Sequence, residues 1–272
     1  EINHFNFKNV KINWNKESYG PVGRVSTQGL KDVFEAFTLE LGIGENASYL
    51  KELFENSYLK HNNLADATRF LANELFGDKG LVILNGADKT LKQLLIPFVK
   101  KELIHKTTFQ KVSETNAILE KEYEIQVNPR EINLFYIEDD LRERIVFENN
   151  LFKINNTRLS FSEKEIIELL EKNPEKFSPN VIMRPLYQEY ILPNLAYIGG
   201  PGEMAYWLQL KSTFAHYQIP FPMLAWRNSF ALSNQKQLKT IEALLPSVES
   251  IFKPLQELID GYVTTHSQNI LS

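Results

Sequence analysis

Two hydrophobic periods alternate along this chain and predict its secondary structure. Short apolar runs bounded by Gly, Pro or Asn, such as those at 81–84, 134–137 and 195–198, are typical of strands. Longer stretches that repeat apolar residues every three or four positions are typical of amphipathic helices. Because strands and helices follow one another along most of the chain, the pattern predicts an α/β fold with a parallel sheet.

The first third of the chain is predicted to hold a hairpin and several helices. Residues 1–14 alternate apolar and polar side chains, as a strand with a possible hairpin does. The stretches with helical spacing are 28–41, 46–59, 63–76 and a long one that starts at Lys89. The strand predicted at 81–84 would precede this last helix and form a βα unit with it.

An antiparallel insertion is predicted near 133–161. Its apolar runs are joined by asparagine-rich links at 148–150 and 155–157, and asparagine tolerates the positive φ of tight hairpins. Ser162 then precedes a helical stretch and is expected to be its N-cap.

The last part of the chain differs in character from the rest. From 233 to 272 the pattern is helical but interrupted at Pro246 and Pro254. We therefore expect a core over 1–232, which contains the antiparallel insertion, and a C-terminal helical tail over 233–272.

The segment 194–227 predicts a strand, a glycine-rich turn, a helix and a second strand in immediate succession. Pro201 suits a first helical position, and Gly199 and Gly200 before it permit backbone geometry closed to other residues. The first N–H groups of the helix point toward the carboxyl end of the strand, where open α/β sheets bind ligands. These two glycines and Gly202 are therefore candidate substrate-binding residues.

Glu203 lies at about the third position of the predicted helix. A carboxylate beside a helix N-terminus is held ionised by the dipole and repels a phosphate at close range, so an amine is the better ligand. Glu203 can equally be a capping-box residue that bonds the backbone of its own helix. The spacing leaves both interpretations open.

Two arginines stand where apolar segments end. Arg184 follows 181–183 and Arg227 follows 224–226, positions that suit bidentate recognition of a carboxylate or a phosphate. A buried structural salt bridge is the alternative for each. Together with Glu203, the two arginines predict a site for a ligand that carries both an amine and an acid.

An apolar stripe follows Glu203 on the same helix. Tyr206, Trp207, Leu210 and Phe214 recur at spacings of three and four, which is typical of a core-facing surface. Tyr206 lies at the same end of the stripe as Glu203 and is a candidate for bordering the pocket.

Composition and charge exclude several classes of function. The net charge is −4 and no block of Lys and Arg occurs, so a nucleic-acid surface is not expected. No apolar run approaches the roughly 18 residues of a membrane helix. The chain has no cysteine, which excludes disulfides, thiolate metal sites and a cysteine nucleophile and fits a cytoplasmic protein.

Motifs for common cofactors and nucleophiles are also missing. The five histidines are scattered without HxxxH or HxH spacing, so no metal site is expected. The sequence contains no GxxxxGK[ST] loop, no GxGxxG and no GxSxG.

The motifs described above together resemble one known family. AYIGGPGEMAYWLQLK at 196–211, between NVIMRPLYQEYILPN and IPFPMLAWRNSFAL, closely resembles the cysteine-adding enzymes of bacillithiol biosynthesis, the BshC family. The same family pattern is found in EINHFNF at 1–7, GPVGR at 20–24, LFGDKGLVILNGADKTLK at 75–92 and NPREINLFYIEDDLRERI at 128–145. The resemblance covers residues 1 to about 232.

This resemblance implies a ligase that joins cysteine to the amine of glucosaminyl-malate. It also implies a Rossmann-like core and a long helical coiled coil that supports a homodimer. Arg184 and Arg227 would bind the malate and cysteine carboxylates, and Glu203 would hold or deprotonate the amine as the catalytic residue. Tyr197 and Tyr206 complete the substrate-binding set around the turn.

The resemblance also implies that this chain is part of a longer protein. In the family a region with a GQQ-type loop and an acidic-histidine segment precedes EINH, and Asn3 and His4 retain the tail of that region as further substrate-binding candidates. The coiled coil is not recognisable in 234–272, so we expect a fragment that need not be active alone. ATP or another nucleotide is the suspected activator.

Two other functions remain open from the sequence. A nucleotide-sugar transferase on a similar fold would also place an acid and arginines at strand ends. A non-catalytic binding module is the other alternative.

Overall fold

The computed structural model describes residues 4–14, 16–17, 20–138 and 140–267. Asn3, one of the predicted substrate-binding residues, lies outside these described residues. The chain divides into two compact units, Glu1–Trp226 and Arg227–Ser272.

Helices and strands both contribute to the first unit, so the predicted α/β class is confirmed. Its helices are α1 Leu30–Leu41, α2 Glu45–Phe54, α3 Leu64–Phe76, α4 Lys89–His105, α5 Thr107–Leu119, α6 Glu163–Lys172, α7 Arg184–Ile191, α8 Pro201–Leu208 and α9 Lys211–Tyr217. Its strands are β1 His4–Phe7, β2 Val10–Asn13, β3 Leu134–Ile137, β4 Arg142–Glu148, β5 Leu151–Ile154, β6 Ser160–Phe161, β7 Phe177–Pro179, β8 Ala196–Gly199 and β9 Met223–Trp226.

The N-terminal hairpin is confirmed. β1 and β2 pair antiparallel across a two-residue turn at Lys8 and Asn9, both of which have positive φ. The hairpin packs on α1 through a small apolar cluster centred on Ile12, Leu30 and Val33. Beyond α2, the helix continues as one π-helical turn over Glu55–Leu59.

The largest sheet is antiparallel and extends beyond the predicted insertion at 133–161. Its five strands lie in the order β6-β5-β4-β3-β7, and every neighbouring pair is antiparallel. The tight links contain Asn149, Asn150 and Asn156 at positive φ, as the asparagine-rich sequence predicts. β7 joins the sheet because α6 returns the chain to the free edge of β3.

One contiguous apolar core holds this sheet against the helices of the first unit. Its members include Leu95 and Val99 of α4, Leu134 of β3 and Leu186 of α7, each at most 1% exposed. Because a fully buried side chain of this size contributes roughly 1.5–3 kcal/mol, this core dominates the stability of the unit.

The parallel component of the fold is a single pair of strands in the part of the chain that the structure describes. β8 and β9 pair parallel from Ala196 opposite Met223 to Gly199 opposite Trp226. The prediction of a strand at 81–84 was wrong, since these residues do not pair with any described strand. Apolar run length alone does not make a strand, because a strand also needs a hydrogen-bonding partner.

The helical predictions are confirmed with shifted boundaries. Asn63 caps α3 through Asp66 N, and Ser162 forms a capping box with Glu165 at the start of α6. The helix predicted after the glycine-rich turn is divided into α8 and α9 by residues 209–210.

The second unit is helical. It contains α10 Gln235–Leu244, a 3₁₀ segment Val248–Phe252 and α11 Leu255–His266. The interruptions fall next to the prolines at 246 and 254.

Candidate functional site

The glycine-rich turn connects β8 to α8. Gly200 is extended, with φ −75° and ψ 169°, and neither it nor Gly199 has a positive φ. These two glycines therefore do not use the backbone conformations that are closed to other residues. Space, rather than φ, requires Gly199, since a Cβ there would lie 2.8 Å from Tyr197 Cε1 and 3.2 Å from Glu203 Cβ.

Glu203 accepts hydrogen bonds on both carboxylate oxygens. Gly200 N donates to Oε2 at 2.9 Å, which is the capping interaction that the spacing allowed. The Tyr197 hydroxyl donates to Oε1, also at 2.9 Å. The side chain is half-buried, and each carboxylate oxygen can accept a second donor. Capping therefore leaves the carboxylate capable of binding an ammonium group.

Arg184 and Tyr206 meet beside this carboxylate. Arg184 Nη2 donates to the Tyr206 hydroxyl at 3.0 Å, and Nη1 donates to Gln188 Oε1 at 2.9 Å. The same guanidinium interacts with the Tyr197 hydroxyl. The structure thus brings four predicted site residues, Arg184, Tyr197, Glu203 and Tyr206, into one polar network.

The electrostatics of the network keep the tyrosine hydroxyl of β8 protonated. Burial raises the pKa of Tyr197, and its hydrogen bond to Glu203 raises it further, while Arg184 acts in the opposite direction. The Tyr197 ring also stacks on Trp207 with centroids 4.2 Å apart, which fixes the position of its hydroxyl.

Two asparagines, the buried Asn133 and the half-buried Asn180, fix the start of the helix that carries Arg184. Asn180 Oδ1 accepts from Ile182 N at 2.9 Å and from Met183 N at 3.2 Å. Asn180 Nδ2 donates to Asn133 Oδ1 at 2.9 Å. Because these groups are satisfied only in this arrangement, α7 has one preferred position relative to the antiparallel sheet.

Glu102 extends this polar chain into the helices. It is fully buried, and its Oε1 accepts from Asn133 N at 2.9 Å and Asn133 Nδ2 at 2.8 Å. Its Oε2 accepts from Thr108 N at 3.0 Å in the first turn of α5. Local motifs in a sequence contain no signal for such contacts between distant segments.

The glycine-rich turn does not fit a nucleotide phosphate. Phosphate sites at helix N-termini use free backbone N–H groups, whereas Gly200 N donates to Glu203. The carboxylate also stands at the N-terminus of α8, where it repels an anion. This turn is therefore not suited to bind a nucleotide phosphate.

The three other predicted site residues that the structure describes are exposed. His4 is exposed and lines a different cavity with Phe5, Trp14 and residues of α1 and α3. Arg227 is exposed and is the first residue of the second unit. Gly202 faces open space, with no atom within 4 Å of an added Cβ.

A second polar cluster was not singled out from the sequence. Lys92 of α4 is only 4% exposed, and its Nζ donates to Phe177 O at 2.8 Å. Burial lowers the pKa of Lys92 to about 8, and the positive charge of Arg24 contributes. Nearby, Glu138 Oε1 accepts from Lys176 Nζ at 2.6 Å. These residues lie within or next to the segments that resemble the family. That resemblance was the only feature of the sequence that could have pointed to this cluster.

Two negative findings concern the described residues alone. None of their helices combines the length and apolar character needed to cross a membrane. They also contain no group of three or more His, Asp or Glu side chains arranged to hold a metal ion.

A family model matches most of the chain. Residues 1–228 match the model described as Bacillithiol biosynthesis BshC, N-terminal Rossmann-like domain.

Full-length relatives with the same name are similar over nearly the whole chain. A protein named "Putative cysteine ligase BshC" from Flavobacterium psychrophilum is 57% identical over 268 residues, which are 98% of this chain and 50% of that protein. Its namesake from Flavobacterium johnsoniae is 58% identical over 261 residues, covering 96% of this chain and 49% of the relative. One from Christiangramia forsetii is 48% identical over 97% of this chain and 50% of its own length. The chain therefore spans about half the length of these relatives.

Proposed function

Because this chain belongs to the BshC family of bacillithiol biosynthesis, we propose that the whole protein is a cysteine ligase that adds cysteine to the amine of glucosaminyl-malate. The bond formed is an amide between the cysteine carboxyl and the sugar amine. The names of the relatives support a ligase role, and the substrates are our proposal.

The chemistry has two requirements. The cysteine carboxyl must be activated, most simply as an adenylate or acyl phosphate made from a nucleoside triphosphate, so that the nucleoside monophosphate or the phosphate leaves as the amide forms. The attacking amine must be deprotonated, because an ammonium has no free electron pair. Residues of this chain can meet the second requirement.

Glu203 is proposed to hold the substrate ammonium and accept its proton. The observation that carries this assignment is the network in which Tyr197 and Gly200 N orient the Glu203 carboxylate next to the Arg184–Tyr206 pair. An ammonium would contact the carboxylate, while a substrate carboxylate would contact the guanidinium. This arrangement favours a ligand with an amine and an acid, which glucosaminyl-malate is.

The same observation weighs against a nucleotide-sugar transferase. A transferase would bring a diphosphate to the glycine-rich turn, where the Glu203 carboxylate repels anions and Gly200 N is engaged.

Replacing Glu203 by Gln in the full-length protein tests the role. The amide of Gln can still accept from Gly200 N, so the helix cap survives while the proton acceptor is lost. Turnover measured by mass spectrometry, with cysteine, ATP and glucosaminyl-malate, should fall about 100-fold or more. Glu171→Gln, on the exposed face of α6, is the matched control.

If turnover in Glu203→Gln were unchanged, Glu203 would act only as a helix cap and not as the proton acceptor. If the wild-type protein bound glucosaminyl-malate but formed no product with cysteine and ATP, the non-catalytic module would replace the ligase as the better proposal.

We further propose that the whole protein works in the cytoplasm as a homodimer. Light scattering on the full-length protein tests the dimer, and a monomer at assay concentrations would contradict it.

A further inference from the structure

The Arg184 guanidinium is held by neutral groups. Its Nη1 donates to Gln188 Oε1 at 2.9 Å, and its Nη2 donates to the Tyr206 hydroxyl at 3.0 Å. The Tyr197 hydroxyl is the third group that it contacts among the described residues. Since none of these three contacts is an ion pair, the guanidinium is oriented while its positive charge stays available for the acid of a ligand.

The Gln188 amide fits beside Arg184 in one orientation only. A guanidinium only donates hydrogen bonds and a carboxylate only accepts them. Gln188 Nε2 donates to Glu189 Oε1 at 3.1 Å, and this bond turns the amide oxygen toward Arg184. Glu189 therefore determines which end of the amide meets the guanidinium.

Glu189 lies in an unfavourable place for a carboxylate. It is only 1% exposed and belongs to the last turn of α7, so burial and the negative end of the helix dipole both disfavour its charge. Three hydrogen bonds from neutral donors offset this cost. They come from Gln188 Nε2, from Asn194 N at 2.9 Å and from Asn194 Nδ2 at 2.9 Å. A charge kept under these conditions indicates that Glu189 positions its neighbours.

The second neighbour of Glu189 leads to the other half of the site. Asn194 lies two positions before β8, the strand that carries Tyr197. The Tyr197 hydroxyl in turn donates to Glu203 at 2.9 Å. One buried carboxylate thus connects the helix that carries the guanidinium to the strand that leads to the proposed proton acceptor.

We propose that Gln188 and Glu189 are positioning residues that hold Arg184 for a substrate acid and so give the site its preference for an acidic amino sugar. The inference rests on the proposed function, in which the acid is the malate group and Arg184 binds one of its carboxylates. Gln188 and Glu189 act through Arg184 and do not contact the substrate themselves.

Calorimetric titration of the full-length protein with two glycosides tests the proposal. Glucosaminyl-malate carries the amine and the acid, whereas methyl glucosaminide carries the same amine without an acid. The wild type should bind glucosaminyl-malate at least about tenfold more tightly, because only this ligand can form the charge-assisted bonds to Arg184. Equal affinities in the wild type would overturn the proposal.

Gln188→Met is the first variant. Met has about the length of Gln but no strong acceptor, so Arg184 loses the partner of its Nη1. Glucosaminyl-malate should bind about tenfold more weakly, and the affinity for methyl glucosaminide should stay within about twofold of the wild type. Equal weakening of both ligands would assign Gln188 a general structural role and overturn the proposal, and so would unchanged binding of both. Gln110→Met, at an exposed position of α5, is the matched control.

Glu189→Gln tests the second step. The new amide brings two donors to a place where three donors already converge, so Gln188 loses the partner that sets its orientation. The loss should again fall on glucosaminyl-malate, and the double variant should bind it no more weakly than the weaker single variant, because both residues act through one guanidinium. Additive losses would overturn the proposed connection. Glu171→Gln is the control, and the result for the half-buried Gln188 decides the proposal even where Glu189→Gln does not fold.

Binding and ligation can fail separately. If Gln188→Met loses the preference for the acidic glycoside but the wild type forms no amide with cysteine and ATP, the positioning role stands and the proposed function fails. If amide forms and Gln188→Met leaves the KM for glucosaminyl-malate unchanged, the function stands and the positioning role is rejected.

Discussion

At the scale of single residues, space decides the identity of one glycine in the candidate site. Gly199 has no positive φ, but an added Cβ would lie 2.8 Å from a Tyr197 ring that is stacked on Trp207 and cannot easily move. We expect Gly199→Ala to destabilise the protein by about 1–3 kcal/mol, as overpacking does. Urea unfolding measures the change.

Gly202 provides the matched control for this prediction. It lies in α8 with nothing within 4 Å of an added Cβ, so Gly202→Ala should be neutral or stabilising by up to about 1 kcal/mol. Equal stability of Gly199→Ala and wild type would show that the Tyr197 ring can shift, and that the turn is less tightly packed than the distances indicate.

At the scale of elements, the orientation of α7 depends on one amide. Asn180 accepts from two N–H groups at the start of the helix and donates to Asn133, so Asn180→Ala removes three hydrogen bonds. We expect a loss of roughly 1–3 kcal/mol in the free energy of unfolding, because buried partners are left unsatisfied.

The Asp substitution separates the two functions of this amide. Asn180→Asp keeps the acceptor for the helix N–H groups and loses the donor to Asn133, so it should destabilise less than Asn180→Ala. Hydrogen exchange at Ile182 N and Met183 N should accelerate only in the Ala variant. Acceleration of equal size in both would assign the positioning of α7 to Asn133 instead.

At the scale of the whole molecule, the sequence predicted what depends on neighbouring residues. Ser162 and Glu165 lie three positions apart, and the capping box that they form requires only the local chain. The tight turns between the antiparallel strands could likewise be predicted from their asparagines.

Features that depend on distant residues were not predictable in this way. Leu81 and its neighbours have the composition of a strand, but no described strand pairs with them. The buried contact of Glu102 with Asn133 joins residues 31 positions apart. The candidate site shows the same division, since the Glu203 cap was among the predicted alternatives, whereas the contact of Arg184 with Tyr206 joins residues 22 positions apart.

Lys92 makes the stability of the whole molecule depend on pH above neutrality. Its pKa is about 8 in the folded protein and 10.5 in the unfolded chain, so between these values the unfolded chain binds more protons. The free energy of unfolding should therefore rise with pH across this window, by up to roughly 3 kcal/mol from this residue. Lys92→Met should remove the rise and stabilise the protein near pH 7, because Met fills the same space without a charge.

Urea unfolding at several pH values between 7 and 10 checks this dependence. Other titrating groups are common to wild type and variant, so the difference between the two curves isolates Lys92. Lys79→Met, at an exposed surface position, should follow the wild-type curve. A rise that persists in Lys92→Met would mean that the ammonium is stabilised in the folded protein. The buried positive charge of Lys92 would then be compensated by other groups of the chain.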